Sequence, residues 1–96
     1  MADWPDTTEL AQVLDVSNVE DWQTTLDRTM ASAIARVKLD IGVWDEDTDT
    51  PTDMQAAAAL RMGELLALRP EAAAEASRDP TYQRLLFGSR KRFGIS

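Results

Sequence analysis

The chain has 96 residues, enough for one small domain built on a single hydrophobic core. It contains no cysteine and no histidine, which excludes disulfides, thiolate or imidazole metal sites, Cys or His nucleophiles and the usual catalytic base. Its net charge of -7 is unevenly spread: residues 1–53 hold 13 acids against Arg28, Arg36 and Lys38, and residues 54–96 hold 4 acids against 7 bases, so the halves carry -10 and +3. They would attract opposite partners.

The start, MADWPDTTE, carries acids where a signal peptide needs cations and an apolar run. No later segment approaches the roughly 18 to 20 apolar residues of a membrane span, so a soluble, unprocessed protein with no membrane partner is expected. A first short helix is predicted over residues 6–14. Asp6 and Glu9 resemble a capping box, Leu10, Val13 and Leu14 share one face, and Trp4 can pack ahead of it as a staple. Residues 15–18 read as a turn in which Ser17 or Asn18 caps the next helix through a side-chain oxygen.

The second helix has the clearest periodicity. Val19, Trp22, Leu26, Met30, Ala33, Ile34, Val37 and Ile41 recur at spacings of three and four, with Glu20, Asp21, Asp27, Arg28, Arg36, Lys38 and Asp40 on the remaining positions. Gly42 supplies the stop. At 1.5 Å per residue this is a rod of about 35 Å. The acidic loop VWDEDTDTPTD follows, with Thr50 as the expected cap of a third helix, Pro51 at its first position and Asp53 near its positive end. The third helix, residues 54–68, is apolar nearly all round and rich in alanine, as a central helix would be, and Pro70 ends it. Residues 71–77 read as a further helix, and a last short one runs from Pro80 through Tyr82, Leu85, Leu86 and Phe87 to Gly88. The pattern predicts an all-α bundle with two long antiparallel helices, short flanking helices and an extended C-terminal tail. Residues 1–87 form the domain, and residues 88–96 the basic tail.

Asp45, Asp47 and Asp49 have the spacing of the first three ligands of a calcium loop. The pattern then fails: the sixth position is Thr50, the seventh Pro51, and the twelfth, which needs a bidentate glutamate, is Ala56. The loop therefore reads as a solvated, helix-capping segment or an acidic contact surface, and no metal is expected. No serine has a histidine to activate it, the four glycines form no phosphate-binding loop and no carboxylate pair stands out, so neither an enzyme nor a cofactor is expected. ELAQVLDVSNVEDWQTTL has the outline of a helix-turn-helix, which makes a small DNA-binding regulator the alternative reading. Its exposed face would offer Asn18, Glu20, Asp21, Gln23 and Asp27, whose carboxylates phosphates repel, and Asp15 replaces the glycine frequent at such a turn.

Trp22 is expected in the core. Trp44, just past the helix stop, reads equally as a core lid or an interface anchor. The tail carries Arg84, Arg90, Lys91 and Arg92 together with Phe87, Phe93 and Ile95, and no acid follows Asp79. Cations interleaved with apolar anchors read as a docking peptide.

The order of these features resembles the head-to-tail connector, or adaptor, proteins of long-tailed phages. It comprises a short helix after a W-P start, a long helix ending in D-I-G-V-W, the D-T-D-T-P loop, an alanine- and leucine-rich helix ending in R-P, and DPTYQRLLFGSRKRFGI. The resemblance implies a structural virion protein that acts at the head-tail junction and waits in the host cytoplasm before assembly. Such adaptors form a homo-oligomeric ring, usually a dodecamer, beneath the portal protein. They extend the DNA channel and dock the stopper or tail completion protein. By that resemblance Arg84, Arg90, Lys91, Arg92 and Phe93 contact the portal, and Trp44, Asp45, Glu46, Asp47 and Asp49 contact a neighbouring subunit or the stopper. An acidic lining would let the genome pass without specific binding, and a chain with halves of opposite charge suits the head-to-tail contacts that close rings.

Overall fold

Asp6 accepts the backbone N–H of Glu9 at 2.9 Å, and the Glu9 carboxylate reaches back to the Asp6 N–H at 3.4 Å. This reciprocal cap starts α1 (Thr7–Leu14) as the sequence predicts. The helix ends at Asp15, which takes the left-handed conformation at φ 59°. An aspartate thus occupies the backbone position for which glycine is the usual residue. The computed structural model describes residues 3–88.

α2 (Val19–Ile41) has the predicted bounds, and Gly42 closes it with φ 95° and its N–H on the Lys38 carbonyl at 3.1 Å. Its start differs from expectation. Asn18 stands at the cap without a side-chain bond to the helix backbone; its Nδ2 instead donates to the Asp21 carboxylate at 3.1 Å. α3 (Asp53–Leu68) is capped by Thr52 and not by Thr50. Thr52 Oγ1 accepts from the Gln55 N–H at 3.0 Å while Gln55 Oε1 accepts from the Thr52 N–H at 2.9 Å. That pairing satisfies two helix-end groups at once, and Pro51 is buried just ahead of it. After α3, residues 71–77 are helical only over α4 (Ala73–Ala76), and α5 (Pro80–Phe87) completes the set. Among the described residues there is no strand. The fold is all-α.

Helix α3 touches each of the other four helices, which is the central position its nearly uniform apolarity predicts. One core joins Leu10 and Ala11 of α1, Leu26, Met30, Ala33 and Val37 of α2, Ala58, Ala59, Met62 and Leu66 of α3, and Tyr82 and Leu86 of α5. Small residues on α3 let its neighbours come close. At Gly63 an added Cβ would lie 3.1 Å from Leu10 Cδ1 and 3.6 Å from Met30 Cε, so the glycine marks the place where α1 and α2 both press on α3.

Two residues leave the positions their spacing assigned. Trp22, expected in the core, is 49% exposed. The apolar stripe of α2 is wider than the face that α3 covers, and Trp22 lies at its uncovered margin beside Leu68, itself 75% exposed. Asp40, expected among the solvent-facing residues of α2, has a side chain only 15% exposed and turns toward α5.

Candidate functional site

The acidic loop after α2 folds on itself. Asp45 Oδ1 accepts the Asp47 N–H at 2.9 Å, and Asp49 Oδ2 accepts the Asp45 N–H at 2.7 Å. The Asp47 N–H and then the Thr48 side chain hold the Asp45 carboxyl below the usual carboxylate range. These carboxylates therefore serve the loop's own backbone, as Asx-type turns do. Among the described residues no group of three or more acids is gathered where it could hold a metal ion.

Trp44 packs on Trp4, which itself borders the core. Trp44 is half-buried, its ring centroid 5.3 Å from that of Trp4 and the two planes tilted by 49°. Lys38 Nζ sits 5.7 Å from the Trp4 ring centre and 5.6 Å from that of Trp44, and it bonds both carboxylate oxygens of Glu46 at 2.8 and 3.0 Å. One cation thus fastens the segment before α1 and the loop after α2 to the last turns of α2. Asp45, Asp47 and Asp49 remain exposed beyond this clasp.

Two polar clusters moor α5. In the first, Asp40 Oδ2 accepts from the Tyr82 hydroxyl at 2.7 Å and from Ser77 Oγ at 2.9 Å, while Arg36 Nε donates to Ser77 Oγ at 2.7 Å and lies 3.3 Å from Asp40 Oδ1. Burial, followed by the hydrogen bond to Asp40, pushes the Tyr82 phenol well above its ordinary value of 10.0, so it stays a donor. In the second, Arg61 makes a two-pronged bond to Asp79, Nε to Oδ2 and Nη2 to Oδ1, each at 3.0 Å, and its Nη1 reaches Glu64 at 2.9 Å. The Arg61 hydrogen bond is the main reason the Asp79 carboxyl lies below the usual range, and Asp79 also caps α5 by accepting the Tyr82 N–H at 3.0 Å. Gln83 adds a bond to the Ser77 carbonyl. No buried side-chain nitrogen or oxygen among the described residues lacks a partner.

This mooring brings together residues the sequence separates widely: Arg36, Asp40, Arg61, Ser77, Asp79 and Tyr82. The only local sign of it is Asp79 before Pro80, an acid at a helix start. Of the residues expected to contact a portal, Arg84 lies exposed on α5. Arg90, Lys91, Arg92 and Phe93 lie outside the described residues.

The helix-turn-helix outline is present as α1, the turn at Asp15 and α2. Asn18, Glu20, Asp21, Gln23 and Asp27 are all exposed. Gln23 Nε2 is engaged by Thr7 Oγ1 at 3.0 Å and by Asp27 at 2.9 Å, and the surrounding carboxylates repel phosphate. Beside this acidic face runs an open apolar groove of about 210 Å3 whose lining includes Leu14, Val16, Trp22, Leu26, Ala67 and Leu68. Among the described residues no helix is long and apolar enough to cross a membrane. No protein-family model, no curated protein and no solved structure matches this chain.

Proposed function

We propose that the protein is a non-enzymatic structural component of a virion, a head-to-tail adaptor that forms a ring beneath the portal, extends the DNA channel and docks the stopper or tail completion protein. The order of sequence features that resembles the connector family is the starting point. The observation that carries the reading is the mooring of α5. Two ion-centred clusters on α2 and α3 fix this short helix, so its exposed Arg84 stands on a rigid base. In this reading residues 1–87 are the adaptor domain, and Arg84, Arg90, Lys91, Arg92 and Phe93 grip the portal.

The long helices of the subunit run antiparallel. Met30 meeting Gly63, with Thr25 and Thr29 beside Ala67 and Leu68, supports that course. The loop from Trp44 to Asp49 presents its exposed acidic surface to a neighbour or to the stopper. Acids exposed on α2 and in this loop suit a channel through which DNA passes unbound. A dodecamer is the ring size the resemblance implies.

The test is removal of residues 88–96. Among the described residues the core is built from residues before them, and the expected result is a truncated chain that keeps its helical circular dichroism and loses capture by the portal protein encoded in the same genome. Portal capture unchanged by the truncation would remove the tail from the mechanism.

A further inference from the structure

The groove beside Trp22 has a chemistry that the mooring of α5 and the acidic loop leave unused. Leu14, Trp22, Leu26 and Leu68 line it, with Thr25 and Thr29 along its α2 side. Trp22 is 49% and Leu68 75% exposed, and large apolar side chains that converge in the open mark a contact surface where scattered ones do not. Thr25 and Thr29 also line the adjoining hollow, together with Arg28 and Ser32. Arg28 therefore borders the groove.

Along this side of α2 the charges come one of each sign. Asp21, Thr25 and Arg28 recur at spacings of four and three, so they share one side of the helix. The Arg28 side chain is exposed and has no partner among the described residues. Asp21 is exposed too, and its carboxylate is engaged at one oxygen, by the Asn18 amide at 3.1 Å. Glu20, Gln23 and Asp27 repeat at three and four on another side of α2, where Gln23 holds Thr7 and Asp27. Asp15 and Arg69, at the ends of α1 and α3, again differ in sign. The chain carries -7 in all, so its copies repel one another. Beside the groove the charges of α2 cancel.

This arrangement selects the occupant. A partner of a single charge sign gains from one of Asp21 and Arg28 and is repelled by the other. A second copy turned about a two-fold axis satisfies both. Asp21 and Arg28 lie seven residues apart, about 10 Å along the helix, with Thr24 and Thr25 midway between them. Where α2 crosses its counterpart antiparallel at these threonines, Asp21 of each copy faces Arg28 of the other, and Trp22 of each lies toward the Thr29 and Leu68 side of the other's groove. We propose that two copies of this chain pair through the Trp22 groove and the Asp21–Arg28 side of α2. The contact is isologous, the same surface on both copies, and so it closes at two. It stands apart from the ring reading, because neither α5 nor the acidic loop takes part and the pair is a form of the free chain.

The experiment is sedimentation velocity on full-length chains over a range of concentration. The wild type passes from monomer to dimer as concentration rises and forms nothing larger. Asp21→Arg and Arg28→Asp each set like charges opposite one another and weaken pairing about tenfold or more, with helical circular dichroism unchanged. An equimolar mixture of these two variants recovers the dimer, because both charge contacts in the mixed pair join opposite signs. That recovery is what a two-fold contact gives and a general change in net charge does not. Trp22→Lys also weakens pairing about tenfold or more. Leu68→Lys gives the same loss and stands in if the tryptophan variant fails to fold. A wild type that stays monomeric to about 1 mM, weaker than any useful contact, overturns the proposal. So does assembly beyond the dimer, undiminished pairing of either charge variant or of both groove variants, or a mixture that recovers no dimer.

Discussion

Tyr82→Phe removes one oxygen from a fully buried side chain, and its cost can be worked from the geometry. The hydroxyl donates to Asp40 Oδ2 at 2.7 Å. A hydrogen bond to a charged group contributes about 1.5–3 kcal/mol. Asp40 keeps Ser77 at 2.9 Å and Arg36 at 3.3 Å, so it is not left without partners, and the expected loss is toward the lower end, about 1.5–2 kcal/mol. With a urea slope near the lower end of the ~1–3 kcal/mol/M range, the midpoint followed by circular dichroism falls by about 1–1.5 M while the slope stays the same. The thermal midpoint falls by about 6–15 °C. The phenol also supplies an internal control. Its proton is held more tightly in the folded state than in the unfolded one, so its contribution is whole below about pH 10 and is lost as pH rises above that value. The gap between wild type and Tyr82→Phe therefore narrows in alkaline solution. A midpoint shift below about 0.3 M at neutral pH, or a gap that does not narrow above pH 10, would refute the claim that this hydroxyl moors α5 to α2.

Two further outcomes follow from the packing. Asp79, whose carboxyl is held low chiefly by Arg61, stabilises the fold above its unfolded value of about 3.9, and that contribution disappears as pH falls through the lower folded value. Asp79→Asn keeps a competent cap but lowers stability at neutral pH, and urea midpoints from about pH 4 downward decline less for it than for wild type. Gly63→Val pushes methyl groups into Leu10 and Met30 and costs about 1–3 kcal/mol in thermal melts. Gly63→Ala costs less, because the gain in helix propensity, about 1 kcal/mol, offsets the tight contact. A valine variant as stable as wild type would mean that α1 and α3 are not closely packed there.

The helices were legible in the sequence wherever a periodic stripe ran into a stop signal. Gly42 and the stripe from Val19 to Ile41 bound α2 correctly, and Pro80 with Gly88 bound α5. Capping was harder to read at α3, because Thr50 with Asp53 and Thr52 with Gln55 both have the spacing, and the reciprocal bonds of the second pair decided between them. Trp22 was misplaced for a geometric reason: a spacing of three and four identifies a face but not how far along the rod a neighbour extends. Asp40 was unreadable for a different reason. Its partners Ser77 and Tyr82 lie 37 and 42 residues away, and no local pattern marks an acid that will be turned inward. The parts of the candidate site that depend on charge density were visible at once. The parts that depend on long-range pairing required the fold.

The double contact of Lys38 with Trp4 and Trp44 has a practical consequence. The residues ahead of α1 and the loop after α2, about forty residues apart in the chain, share one fastening. Anything attached to the N-terminus, such as an affinity tag, is therefore mechanically connected to the acidic loop, and a tag that pulls Trp4 away also frees Glu46 and Trp44 to move. Binding measurements on that loop belong with a chain whose N-terminus carries no fusion. The same connection makes Trp4 a remote handle by which the loop can be loosened without altering any of its own residues.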